Sequence, residues 1–199
     1  KRASTSIDMT AMCDVSFLLL TFFVLTATAR QPEVLVVDTP ASTTPDKLPD
    51  DNLSVISVAK GKVFFAIKNP VVREETLKNM SAKYQIAFSA EEYEKFKQLD
   101  EFGVPLKNLR QLLSLENDAR KEGIQPGIPV DSTENVSNEL YQWVQQARLA
   151  TVKYNRDREG EKDYVDPGAM KVAIKADANE KYPVINTIIE TLRNQKQNK

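Results

Sequence analysis

One carboxylate stands where water is scarce. Asp14 is the only charged residue in the run Met9–Ala29, MTAMCDVSFLLLTFFVLTATA. A carboxylate facing lipid costs about 2.5–3.5 kcal/mol on insertion scales, and poor hydration favours the neutral acid over the anion. A side chain placed there exchanges a proton as its hydration changes. The chain contains no histidine, which removes the commonest proton shuttle and the commonest metal ligand. Proton chemistry therefore falls to carboxylates, lysine or tyrosine. Ser-His-Asp and Cys-His enzymes are excluded, as are His-containing zinc sites. Cys13 is the one cysteine, so no intrachain disulfide forms, and it reads as a small buried side chain rather than a reactive thiol. The glycines make no phosphate-cradling motif. No catalytic cluster, metal site or cofactor is expected.

The neighbours of Asp14 give it a face. On a helix turning about 100° per residue, Thr10, Asp14, Thr21 and Thr28 fall within roughly 80° of one another. The rest of the circumference is Phe, Leu and Val. Such a stripe is expected to face protein or water. Asp14 also lies near the N-terminal end, which fits an interfacial carboxylate that snorkels to water. Threonine bonds its own helix backbone readily, so the stripe alone does not separate the two readings.

The element that must position Asp14 is the run itself. As a helix, Met9–Ala29 reaches about 30 Å, enough to cross a bilayer core. Lys1 and Arg2 precede it and Arg30 follows, so the positive-inside rule weakly favours a cytoplasmic N-terminus. The same run resembles a cleaved signal peptide, with Ala27-Thr28-Ala29 as an A-x-A site, but a carboxylate has no purpose there. Residues 1–8 read as a cytoplasmic segment and 9–29 as the span. Residues 30–52 are a flexible linker broken by Pro32, Pro40, Pro45 and Pro49. Within it Glu33-Val34-Leu35-Val36-Val37-Asp38 is β-prone and suited to pairing with a partner strand or a sheet edge.

Residues 53–199 read as the water-facing domain; mean hydropathy over the chain is −0.41, and 27 basic residues face 28 acidic ones. That balance gives no sign of a nucleic-acid partner. Leu53–Ala59, a Lys60-Gly61 turn and Val63–Ile67 predict a β-hairpin. Val72–Met80 is weakly helical, Ser89 with Glu92 makes a capping box, and Pro105 suits the first turn of a helix over Leu106–Leu115. Gln125–Pro129 breaks the pattern. A helix is expected from Asp131 or Ser132 to about Lys153, with Val136, Leu140, Trp143, Val144 and Ala147 on its core face. Residues 155–168 read as a charged loop, Met170–Ala176 as a half-buried strand ended by Asp177, and Pro183–Gln195 as an amphipathic helix. The fold class is α+β: one transmembrane helix, a linker, and a small sheet packed on helices.

Three of these segments carry a resemblance. Ile7 to Phe23, centred on Thr10-Ala11-Met12-Cys13-Asp14, resembles the signature of the ExbD/TolR family, with Ala11 in place of the usual proline and Cys13 in place of valine or isoleucine. Val36-Val37-Asp38-Thr39-Pro40 resembles the family's linker motif. Val172–Asp177 followed by Tyr182-Pro183-Val184 is similar to its last strand and helix. The resemblance implies that Asp14 is the proton carrier and Thr21 a polar position beyond it. It implies a homodimer in the lipid bilayer of a bacterial inner membrane, with the C-terminal domain periplasmic. Its partners would be an ExbB-like polytopic ring protein and a TonB-like energy transducer. A TolR-like role in envelope constriction uses the same span, and a signal-anchored periplasmic binding module without a motor role is the alternative from another class. A flagellar stator subunit also has a single acidic span, but no peptidoglycan-binding pattern is present. Residues about 70–130 depart from the family as a mainly helical insertion, and the family adds a last strand where this chain reaches Lys199.

Overall fold

The structure is a computed structural model, and it describes residues 9–26, 35, 37–38, 52–116, 119–120, 122–131, 137–162 and 164–195. The chain divides into two units, Lys1–Pro32 and Glu33–Lys199.

The first unit contains helix α1, Met9–Thr26, in which no residue is buried. Its 18 residues have a mean hydropathy of 1.9 and are long and apolar enough to cross a membrane. The expected span extends to Ala29; residues 27–29 lie outside the described residues.

The second unit is built on a four-stranded mixed sheet. Strands β1 (Leu53–Ala59) and β2 (Lys62–Ile67) form the expected hairpin. Its turn puts Lys60 and Gly61 at φ of 54° and 72°, a conformation that glycine tolerates and that favours a tight two-residue turn. Strand β3 (Glu101–Phe102) pairs antiparallel with β2, and β4 (Lys171–Ala176) pairs parallel with β1. The order is β3-β2-β1-β4. A parallel neighbour for β1 requires a long crossover, and the helices supply it.

Those helices cover one face. Helix α2 (Pro70–Tyr84) starts with Pro70 in its first turn and Asn69 as N-cap, whose side chain accepts from the Val71 and Val72 amides. Helix α3 (Ala90–Lys97) opens with the capping box expected at Ser89 and Glu92. After Pro105 the chain makes a 3-10 turn, Leu106–Asn108, before α4 (Leu109–Ser114). Helix α5 (Glu139–Arg158) and helix α6 (Tyr182–Asn194) complete the layer. The core joins Ile56, Val58, Phe65 and Ile67 of the sheet to Leu77, Met80, Phe96, Leu109, Trp143, Val144 and Ile188. At its centre Trp143 meets the Phe102 ring edge-on at 4.7 Å and stacks on Phe96 at 5.8 Å. Buried Arg73 fastens the end of β2 to α3, donating through Nε and Nη2 to the Ile67 carbonyl and through Nη1 to that of Lys97.

Helix α5 differs from the expectation at both ends. It starts at Glu139, because the Asn138 side chain accepts from the Tyr141 amide and caps it there. Residues 132–136, Val136 among them, lie outside the described residues. It runs on through Arg158 because Ala147, Ala150, Thr151 and Asn155 continue the buried face. The expected charged loop is thus shorter by one helical turn.

Candidate functional site

Asp14 lies in the second turn of α1 and is its only ionisable carboxylate or cation. Among the described residues it has neither a hydrogen-bond nor an ion-pair partner. The hydroxyls of the same helix are different. Ser16 donates to the Met12 carbonyl at 2.8 Å, Thr21 to that of Leu18 at 2.9 Å, and Thr26 to that of Phe22 at 2.8 Å. Each spends its donor inside its own helix, which is how a hydroxyl is tolerated in lipid. Thr10 and Thr21 share the Asp14 side of the helix, whereas Thr28 lies outside the described residues. With Thr21 self-satisfied, Asp14 is the side chain of α1 whose polarity is unspent.

The segment expected to pair with a partner strand belongs to the second unit. Of its six residues the structure describes Leu35, Val37 and Asp38; Glu33, Val34 and Val36 lie outside the described residues. The three belong to no strand. Leu35 and Val37 are buried and form a small second core with Ala59 and Phe64. Phe64 projects from β2 on the opposite side from Val63 and Phe65, so this core covers the sheet face that the helices leave. Gly103 lies over the same ring, where a Cβ would come within 2.5 Å of it.

Asp38 is held beside β4. Its carbonyl accepts from the Ala178 amide at 3.0 Å, and its amide donates to Oδ2 of Asp177 at 3.4 Å. The other oxygen of Asp177 accepts from the Asn179 amide at 2.8 Å. These two backbone donors, Asn179 first and Asp38 second, hold the Asp177 carboxyl below its ordinary range. In the same turn Glu180 accepts from the Gly61 amide at 2.8 Å. Asp177 ends its strand as expected and also anchors the linker, which was not expected. The signal was present in Val63-Phe64-Phe65: three consecutive apolar residues on a strand require cover on both faces.

The hairpin offers no free edge to a partner. Strand β1 lies between β2 and β4. The outer side of β2 is taken by β3 at Phe65 and by Ile128, whose amide donates to the Val63 carbonyl at 2.8 Å. Gly127 makes that approach possible. Its φ is +99°, and a Cβ there would meet the Val63 nitrogen at 3.1 Å. The segment 70–130 therefore closes one edge of the sheet.

Compared with known families, the whole chain, residues 1–199, matches the family described as biopolymer transport protein ExbD/TolR. The chain belongs to the ExbD/TolR family. No curated protein and no solved structure matches it. As an ExbD/TolR chain it combines a candidate membrane-spanning helix with an α+β domain, and among the described residues no group of three or more potential metal ligands occurs.

Proposed function

We propose that this chain is the proton-carrying subunit of an ExbB–ExbD-type motor in a bacterial inner membrane, energising TonB-dependent transport across the outer membrane. The observation that carries this reading is Asp14: a carboxylate without a partner among the described residues, within an 18-residue apolar helix whose Ser16, Thr21 and Thr26 hydroxyls are internally satisfied. In this reading two copies place their α1 helices within an ExbB-like ring. Asp14 takes a proton from the periplasmic side as a neutral acid and releases it to the cytoplasmic side. The neutral and charged forms prefer different surroundings, so each proton biases the position of the helix in the ring. The available drive is about 2.3 kcal/mol per proton per 100 mV. The chain acts by carrying protons and transmitting motion and catalyses no covalent chemistry.

The domain following the linker is periplasmic in this reading and passes motion to a TonB-like transducer. The segment Glu33–Asp38 meets an extended stretch of that partner, leaving Phe64 as it does so. Crosslinks that place the partner elsewhere in the energised state, with Leu35 and Val37 still on Phe64, would rule out this contact.

The deciding experiment is Asp14→Asn in the intact membrane complex. The expected result is normal assembly with proton-coupled uptake reduced to background. Undiminished uptake would falsify the motor role. Rescue of an uptake-deficient strain, rather than of an envelope-constriction defect, separates the ExbD-type role from the TolR-like one.

A further inference from the structure

Where the chain enters β1, the second unit holds a polar cavity of about 370 Å³, the size of a small-molecule site. Its polar lining is Asn52 before β1, Asn69 before α2, Tyr154 and Arg158 at the end of α5, and Lys162 and Tyr164 in the loop beyond. No carboxylate among the described residues lines it. Two acids of the same loop have fixed donors instead. Glu161 accepts from Arg158 Nε at 2.9 Å, and Asp166 accepts from Asn155 Nδ2 at 2.7 Å and from the Gly168 amide at 2.8 Å.

The lining groups are held in place and still have hydrogen-bonding atoms to offer. Asn52 is 6% exposed. Its Nδ2 donates to the Gly168 carbonyl at 2.7 Å and to Asn155 Oδ1 at 3.3 Å, while its own Oδ1 accepts nothing among the described residues. Asn69 accepts through Oδ1 from the Val71 and Val72 amides, which leaves its Nδ2. Arg158 Nη1 donates to the Tyr154 hydroxyl at 2.9 Å, and the guanidinium lies 4.7 Å from the Tyr164 ring centre and 5.5 Å from that of Tyr154. A guanidinium fixed in this way presents Nη2 without further loss of freedom. Lys162 has no hydrogen bond or ion pair among the described residues. The Tyr164 hydroxyl is shielded from water and has no hydrogen-bond partner.

We infer that this cavity binds a small monoanionic carboxylate that also carries a hydroxyl or N–H donor. Charge selects the anion. Glu161 balances Arg158, so the lining offers the single uncompensated charge of Lys162, which suits a monoanion. A phosphate cradle of backbone amides is not on offer, because Asn69 already occupies those at the start of α2. Arg158 Nη2, Lys162 Nζ and Asn69 Nδ2 are the donors for the carboxylate oxygens, and hydrogen bonds to a charged group are the strong ones. The buried Asn52 oxygen is an acceptor, which favours a ligand with its own donor over a bare carboxylate. The site belongs to the second unit alone, and its failure leaves the motor reading untouched.

The test is an NMR titration of the full-length chain in detergent micelles, read at the side-chain amides of Asn52 and Asn69, with glycolate as the probe. Saturable shifts at both amides are expected. Glycolamide, of the same shape without the charge, is expected to bind about tenfold more weakly. Lys162→Gln replaces an exposed side chain and is expected to weaken glycolate about tenfold and leave glycolamide unchanged. Acetate, which lacks the hydroxyl, and inorganic phosphate are each expected to bind more weakly than glycolate. The inference is overturned if glycolate gives no saturable shift, if glycolamide matches it, or if Lys162→Gln has no effect. Phosphate binding more tightly than glycolate overturns the carboxylate assignment, and acetate equal to glycolate overturns the role of Asn52.

Discussion

Helix α1 and helix α5 are of similar length and opposite design. In α1 no side chain is buried, the surface is almost wholly apolar, and among the described residues Asp14 has no hydrogen-bond or ion-pair partner. In α5 one face, including Leu140, Trp143, Val144, Ala147 and Ala150, is buried, and the carboxylate at its start is engaged: Glu139 accepts from the Leu106 amide at 2.8 Å. Three further carboxylates of the domain are engaged in the same way. Asp177 and Glu180 accept backbone amides, and Glu92 accepts both from the Ser89 amide and from Arg110. Each of these carboxylates has a fixed donor, so it holds structure. Among the described residues the carboxylate in α1 has none.

The comparison is broken most severely by Asp14→Asn, which is expected to abolish uptake and leave the thermal unfolding of the domain unchanged. The reverse dissociation is expected from Trp143→Ala. This empties the meeting point of Phe96 and Phe102 and costs about 3–5 kcal/mol, read as a lowered urea midpoint with α1 still inserted in membranes. Gly103→Ala forces a methyl group into the Phe64 ring, and overpacking of this kind costs about 1–3 kcal/mol, read in the same unfolding experiment.

Asp177 sharpens the comparison through pH. Its folded-state pKa is depressed, so the stabilisation it contributes is present above its unfolded value and is lost as pH falls through the folded one. Amide exchange at Asp38 and Asn179 is expected to accelerate over that acidic window, and Asp177→Asn is expected to bring the faster exchange at Asp38 to neutral pH. The smallest effect is expected from Thr21→Val. Its hydroxyl serves only the Leu18 carbonyl, so helix insertion changes by no more than about 0.5 kcal/mol. A large loss of uptake in this variant would show that the threonine face acts with Asp14.

Local signals in the chain were sufficient for the apolar helix α1, the hairpin, the Ser89 capping box, the β4 strand and the amphipathic α6. Each depends on residues a few positions apart: an apolar run, an alternation, a Lys-Gly turn, a Ser and Glu three residues apart. The start of α5 was misplaced because Asp131, Ser132 and Asn138 are all competent caps. Asn138 is chosen where its side chain also meets Thr191 of α6, a contact 53 residues away in sequence.

What the sequence determined by itself is the chemistry: a single acidic group in an apolar helix, in a chain without histidine, because hydropathy and residue type are properties of composition. The tertiary structure decided which faces and edges of the sheet are covered. Leu35 and Val37 are β-prone by type, but Phe64 on the uncovered face of β2 takes them as core. Likewise, no local pattern announces that Ile128 closes the β2 edge or that Asp177 holds Asp38. Those contacts join residues distant in the chain, and only the folded sheet brings them within hydrogen-bonding distance.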